Sequence, residues 1–210
     1  MRRARGLLAA LALLLLLLGT VAPPARATPR VLSLLGWLNE QVKRSELAVL
    51  GQAQVDAYPN PHGGQMQVLL LVGQVYHGTR VPPRITVKVK PGWIGSHYVL
   101  PAPILRGQWV LLFCRYERGE WTAPPLGRVV ETPHQGLTFV TDADVVLEDA
   151  APGLSWSYVL DSLTQLVATR QQVINGYSPR LRLARTKEQR DRLQWAIEYE
   201  VKDHLGLPVP

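Results

Sequence analysis

The sequence predicts a mainly β protein with helices: a small barrel or sandwich preceded by one helix and followed by two. Three observations carry this. Between residues 46 and 149, apolar runs, the clearest alternating at a period of two, are cut repeatedly by Gly/Pro turns. Before and after that region the apolar spacing changes to that of a helix. The chain holds one cysteine, Cys114, so packing rather than an intramolecular disulfide must hold the fold.

Taken in order, Val31, Leu34, Leu35, Leu38 and Val42 recur at helical spacing, with Asn39, Glu40, Lys43 and Arg44 on the other face. This predicts a short amphipathic helix. ELAVLGQAQVDAY (46–58) reads as a strand with Val49, Gly51, Ala53 and Val55 on one side, and Gly51 at a bulge or tight bend. PNPHGG (59–64) is a turn by composition. QMQVLLLVGQVYHG (65–78) is a second strand, too apolar to offer a wet face. In RVPPRITVKVKPG (80–92), Ile85, Val87 and Val89 alternate with Thr86, Lys88 and Lys90, which places one face in a core and the lysines in water. Residues 91–104 read as irregular. Trp109 to Tyr116 forms a strand, ERGE its hairpin turn, and WTAPPLGRVVE a return strand interrupted by prolines. GLTFVTDADVVLED (136–149) supplies one or two more.

After Pro152 the helical period takes over. Trp156, Val159, Leu160, Leu163, Leu166, Val167, Val173 and Ile174 trace one face of a helix expected to end at Asn175-Gly176. Thr186-x-x-Gln189 is a capping box that opens a second helix. Glu188 to Arg192 and Glu198 to Lys202 stand there in the favourable i, i+4 order. Gly206 and Pro208 stop it. Its stripe of Leu193, Ile197, Val201 and Leu205 requires a partner surface.

The first 27 residues carry a different message. Arg2, Arg3 and Arg5 precede an apolar run of 13 residues from Gly6 to Leu18, followed by Pro23, Pro24 and Ala25-Arg26-Ala27. That is the pattern of a secretory signal, with cleavage expected between Ala27 and Thr28. The run is short for a membrane span, which needs about 20 residues. Four of the 23 basic residues and none of the 16 acidic ones lie in this segment, so removing it lowers the net charge from +7 to +3. The basic excess therefore gives little reason to expect nucleic acid as a partner. The expected organisation is a signal at 1–27, a β-barrel domain at 28–150 and a helical extension at 151–210. The product is expected in the periplasm or outside the cell, with no stable membrane insertion after cleavage.

The order of segments also resembles a known family. Ala48-Val49-Leu50-Gly51, then Gln74-Val75-Tyr76-His77-Gly78, then Gly107-Gln108-Trp109-Val110-Leu111-Leu112-Phe113 are similar to the successive strands of the netrin-like domain. That domain is the OB-type barrel shared with the tissue inhibitors of metalloproteinases. The resemblance covers about residues 31–140 and implies an OB-like barrel entered by a helix. In the inhibitors an N-terminal cysteine chelates the protease zinc, whereas the mature chain here is expected to begin Thr28-Pro29. The resemblance therefore implies an interaction module and not metalloprotease inhibition.

Few residues announce chemistry. Val110, Leu112 and Cys114 share one strand face, no histidine lies nearby in sequence, and Cys114 is expected to be core filler rather than a nucleophile. His62, His77, His97, His134 and His204 show no zinc-site spacing. Asp142, Asp144 and Asp149 lack the glycine turn and closing glutamate of an EF-hand. No nucleophile-elbow or Ser-x-x-Lys motif is present. The expectation is a non-catalytic binding module, with no cofactor and no metal, engaging another protein. Two alternatives stay open. One is a carbohydrate-binding module using Trp93, His97 and Tyr98 in KPGWIGSHYVL (90–100), where rings and lysines stand together. The other is a hydrolase whose site is assembled from distant residues. Arg180, Arg182, Arg185, Lys187, Arg190 and Arg192 concentrate positive charge near the C-terminal end, either as a solvated helix face or as a contact for anionic lipid or an acidic partner.

Overall fold

Five strands close on themselves. β2 (Leu47–Ala53) pairs with β3 (Met66–His77), β3 with β4 (Arg84–Val89), β4 with β8 (Glu120–Ala123), β8 with β7 (Trp109–Glu117), and β7 returns to β2. All these pairs are antiparallel except β4–β8, where Val87, Lys88 and Val89 lie beside Trp121, Thr122 and Ala123 in parallel. This is a closed five-stranded barrel compatible with the OB fold. The computed structural model describes residues 30–94, 97–132, 136–141, 145–149 and 154–208. The expected signal segment with Ala27 and Thr28, together with His134, Asp142 and Asp144, lies outside the described residues.

The remaining strands hang on this barrel. β9 (Arg128–Thr132) pairs with the first half of β7, whose second half pairs with β8, and β10 (Gly136–Val140) extends the sheet beyond β9. β5 (Gly92–Ile94) and β6 (His97–Val99) form a separate hairpin within the stretch expected to be irregular. β1 (Arg30–Leu32) lies parallel to β11 (Val145–Leu147). Three helices complete the fold: α1 (Leu34–Arg44), α2 (Trp156–Leu183) and α3 (Lys187–His204). The expected fold class is present, with helix and strand about equal in share.

The alternation along β7 shows how the core is divided. Val110, Leu112 and Cys114 point into the barrel with Val49, Val68, Leu70 and Val87. Leu111 and Phe113 point outward, yet they are buried too, because α1 and the first half of α2 cover that wall with Trp37, Leu38, Val159 and Leu163. Both faces of β7 are dry from Val110 to Cys114, which explains the apolar run there, and the strand becomes exposed from Arg115 to Glu117. The turn after it is tight: Arg118 and Gly119 have φ of 53° and 86°, the two positive values a type I′ hairpin requires. Gly51 does sit at a register shift, and a Cβ there would lie 2.9 Å from the Leu71 carbonyl oxygen.

Several local expectations are corrected. Val31 belongs to β1 rather than to the helix, because Ser33 caps α1 by accepting from the Gly36 N–H at 3.1 Å, and the Leu34 N–H donates to Asp149 at 2.6 Å. β3 has a wet side over its first half, where Gln67 and Leu71 are exposed between buried Met66, Val68 and Leu70. The return strand is interrupted at its prolines as expected, dividing at Pro124-Pro125 into β8 and β9. α2 runs through Asn175-Gly176 and Pro179 to Leu183. Interior Gly and Pro cost a helix about 1 and 3 kcal/mol, but Val173, Ile174, Tyr177 and Leu181 continue the stripe onto Ile197 and Val201 of α3 and onto Leu205, which caps it. The capping box at Thr186 and Gln189 and the Glu188–Arg192 pair at 2.6 Å are formed as expected.

Glu198 does not pair with Lys202. It turns toward Arg170 of α2, whose two terminal nitrogens reach its carboxylate at 2.8 and 3.2 Å. Arg170 also donates to Asn39 of α1 at 2.9 Å, and Lys43 lies 3.5 Å from Glu198. Arg170 and Asn39 are both buried. Through this cluster a single carboxylate joins three helices.

Candidate functional site

Where α1 crosses the β7–β8 edge of the barrel, a groove of about 440 Å³ remains open. Its floor is aromatic: Trp37 from α1 and Phe113 from β7 meet edge-to-face with ring centroids 6.1 Å apart. Helix α1 places Gln41 and Arg44 on one wall, the barrel places Arg115 and Glu117 on the other, and the Pro124–Gly127 loop closes one end. That loop approaches α1 closely, since a Cβ on Gly127 (φ 83°) would fall 2.3 Å from the Gln41 Oε1.

The rim is electrostatically one-sided. Arg44, Lys90 and Arg115 supply three cations against Glu117. Lys90 is paired with Glu117, and its hydrogen bond and charge hold that carboxyl below the ordinary carboxylate range. Arg115 donates through Nε to the Arg44 carbonyl at 2.5 Å and forms no ion pair among the described residues. Arg44 is 3.8 Å from Glu40 and largely exposed. An occupant that pairs a carboxylate with an apolar group would meet complementary surfaces at both ends.

The sequence-derived candidates lie beside this groove. Trp93 and Tyr98 are direct cross-strand partners in the β5–β6 hairpin, and His97 pairs with Ile94. Tyr98 is half exposed. The side chains of Trp93 and His97 lie outside the described residues. Gly92, at the root of the hairpin, lines the groove and approaches the Pro125 ring. The described histidines are dispersed: His62 in a turn, His77 at the end of β3 and His204 at the end of α3. Among the described residues no group of three His, Cys, Asp or Glu is placed to hold a metal.

Cys114 is fully buried in the barrel, and burial pushes its thiol up to about 12. The folded protein is therefore expected to resist alkylation by iodoacetamide at pH 8 and to react only as denaturant opens the barrel. Labelling of native protein at the rate of a free thiol would show that the strand opens locally.

Sequence reading missed the groove residues Trp37, Gln41, Arg44 and Arg115. Each reads locally as ordinary helix or strand surface, and only the docking of α1 on β7 brings them together. No protein-family model matches the chain, and no curated protein is significantly similar to it. No helix among the described residues is long and apolar enough to cross a membrane.

Proposed function

We propose that the chain is an exported, non-catalytic binding module of netrin-like type that holds a segment of another protein in the groove between α1 and the barrel. The observation that carries this reading is the groove itself, with an apolar aromatic floor beside an excess of arginine and lysine. The netrin-like part draws its support from a leading helix entering an OB-like barrel, and the exported part from residues 1–27. The favoured occupant is an extended peptide with an Asp or Glu next to a large apolar side chain. Titration with such peptides, followed by tryptophan fluorescence, tests the proposal. Arg115→Glu combined with Arg44→Glu is expected to weaken binding at least about tenfold, since like charge then faces the ligand. Replacing the peptide's acid by lysine should do the same. Equal binding to the double variant would remove the groove from consideration.

A second reading keeps support from the half-exposed Tyr98 set opposite Trp93. In it the hairpin stacks a sugar ring, and oligosaccharide should quench tryptophan emission in the native protein but not in Trp93→Ala. Quenching that persists in the variant would end that reading.

A further inference from the structure

The far end of the α2–α3 hairpin is exposed and strongly charged. Between Pro179 and Gln194 no residue is buried, and Leu181, Ala184 and Leu193 alone are partly covered. Helix α2 is held to the barrel wall through Val159, Leu163 and Leu166, whereas its last turns pack against α3. The tip therefore stands clear of the barrel core.

Its chemistry is uneven. Arg180, Arg182, Arg185, Lys187, Arg190 and Arg192 stand against Glu188 and Asp191, and all six cations are exposed. Among the described residues, Arg192 alone of the six is in an ion pair, with Glu188. Five of the six are arginines, whose planar fork matches phosphate oxygens bidentately. Apolar side chains stand among them. Leu183 is 78% exposed, and an open depression of about 400 Å³ is lined by Leu183, Ala184 and Leu193 with Arg180 and Arg192 at its rim. On α3, Glu188, Arg192, Trp195 and Tyr199 follow one another at spacings of four, three and four, opposite the buried Ile197–Val201 stripe. Trp195 is 62% and Tyr199 44% exposed, their rings 5.5 Å apart. Arg192 thus belongs both to the depression and to the aromatic face.

We infer that the tip of the α2–α3 hairpin docks peripherally on an anionic phospholipid surface. Arginines engage the headgroup phosphates, and Leu183, Trp195 and Tyr199 enter the boundary between headgroups and acyl chains. Bulk charge alone would suit any polyanion. The exposed leucine and the amphipathic Trp/Tyr pair beside the arginines favour an interface with an apolar layer beneath it. This inference is independent of the groove and of what it binds.

Co-sedimentation with vesicles tests it. The protein, in the processed form the expressing cell leaves, is mixed with vesicles of phosphatidylcholine alone or with about a third phosphatidylglycerol. It is expected to pellet with the anionic vesicles, to remain in solution with the neutral ones, and to dissociate as salt is raised. Arg182→Gln, Arg185→Gln and Arg190→Gln together should weaken binding about a hundredfold, near fivefold for each charge removed. Leu183→Ser should weaken it further. All four positions are exposed, so unchanged melting of each variant serves as the folding control. Equal pelleting with neutral vesicles, pelleting with neither, or full binding by the triple variant would each overturn the proposal. So would equally tight binding to single-stranded RNA that ignores Leu183→Ser, which would make nucleic acid the occupant.

Discussion

Glu198→Ala is expected to lower the unfolding free energy by about 3–5 kcal/mol, because it leaves Arg170 charged and buried without its carboxylate. Asn39 would remain as a neutral acceptor at 2.9 Å, which satisfies one N–H and offsets little of the lost ion pairing. Lys43 loses its partner as well. Replacing both charges together, Arg170→Met with Glu198→Leu, should recover most of the loss, since two matched apolar groups avoid the desolvation that an unpaired ion suffers. Urea unfolding of Glu198→Ala and of the double variant measures this. A single-variant loss below about 1 kcal/mol would mean that the cluster behaves as an ordinary surface pair. The pH dependence carries the same signature. Burial alone would push the Glu198 carboxyl up, but the hydrogen bond and charge of Arg170, with Lys43, outweigh it and hold the group below its ordinary 4.5. The folded state then binds this proton less readily than the unfolded chain. The stabilisation is complete above that ordinary value and is lost as pH falls through the depressed one. His77 acts in a higher window. Burial lowers its titration, the charge of Arg170 adds to this, and a hydrogen bond to the Ser45 backbone opposes it. Below 6.5 the unfolded chain takes up a proton that the folded one resists, so stability should already decline there. His77→Gln should remove the upper part of the decline and Glu198→Gln the lower.

The same cluster shows what a linear reading can and cannot see. Strands such as β4 were legible because their faces alternate in composition: Ile85, Val87 and Val89 inward, Thr86 and Lys88 outward. The ends of helices were legible where a cap is written locally, as at Thr186 and Gln189. Periodicity alone left barrel and sandwich open, and the expected barrel came from the resemblance, since the parallel β4–β8 pairing that closes it joins residues some thirty positions apart through no local signal. Local rules misled where tertiary burial outweighed them. The i, i+4 rule assigns Glu198 to Lys202 for a few tenths of a kcal/mol, but a bidentate arginine in a half-dry cleft competes far more strongly. Gly176 and Pro179 are stop signals by propensity, yet the stripe against α3 carries α2 past them. The groove was invisible for a related reason. Trp37 and Phe113 are 76 positions apart, and neither residue alone marks a floor.

Trp37→Ala is expected to be the most damaging change at that floor, at about 3–5 kcal/mol of stability. Trp37 is 2% exposed and wedged between helix and barrel. It meets Phe113 edge-on at 6.1 Å and Phe139 at 5.8 Å, with interplanar angles of 86° and 81°. Such aromatic pairs add about 0.5–1.5 kcal/mol each beyond the area they bury. Trp37→Phe should keep part of both contacts and lose less. Trp195 is also a tryptophan on an amphipathic helix, but its spacing from Leu193, Ile197 and Val201 places it off the apolar stripe, whereas Trp37 lies beside Leu34 and Leu38. The structure separates them: Trp195 stands opposite the packed face of α3 and is 62% exposed. Its replacement by alanine should alter stability by no more than about 0.5 kcal/mol. Chemical denaturation of Trp37→Ala, Trp37→Phe and Trp195→Ala in parallel decides the matter. If Trp37→Ala and Trp195→Ala cost the same, helix α1 is not the lid of the barrel wall and the groove beneath it is not a built cavity. If the contrast holds, the floor of the groove is also a keystone of the fold. Loss of ligand binding in Trp37→Ala must then be measured at denaturant-free temperatures where the variant is still fully folded, so that a vanished floor is read separately from a vanished protein.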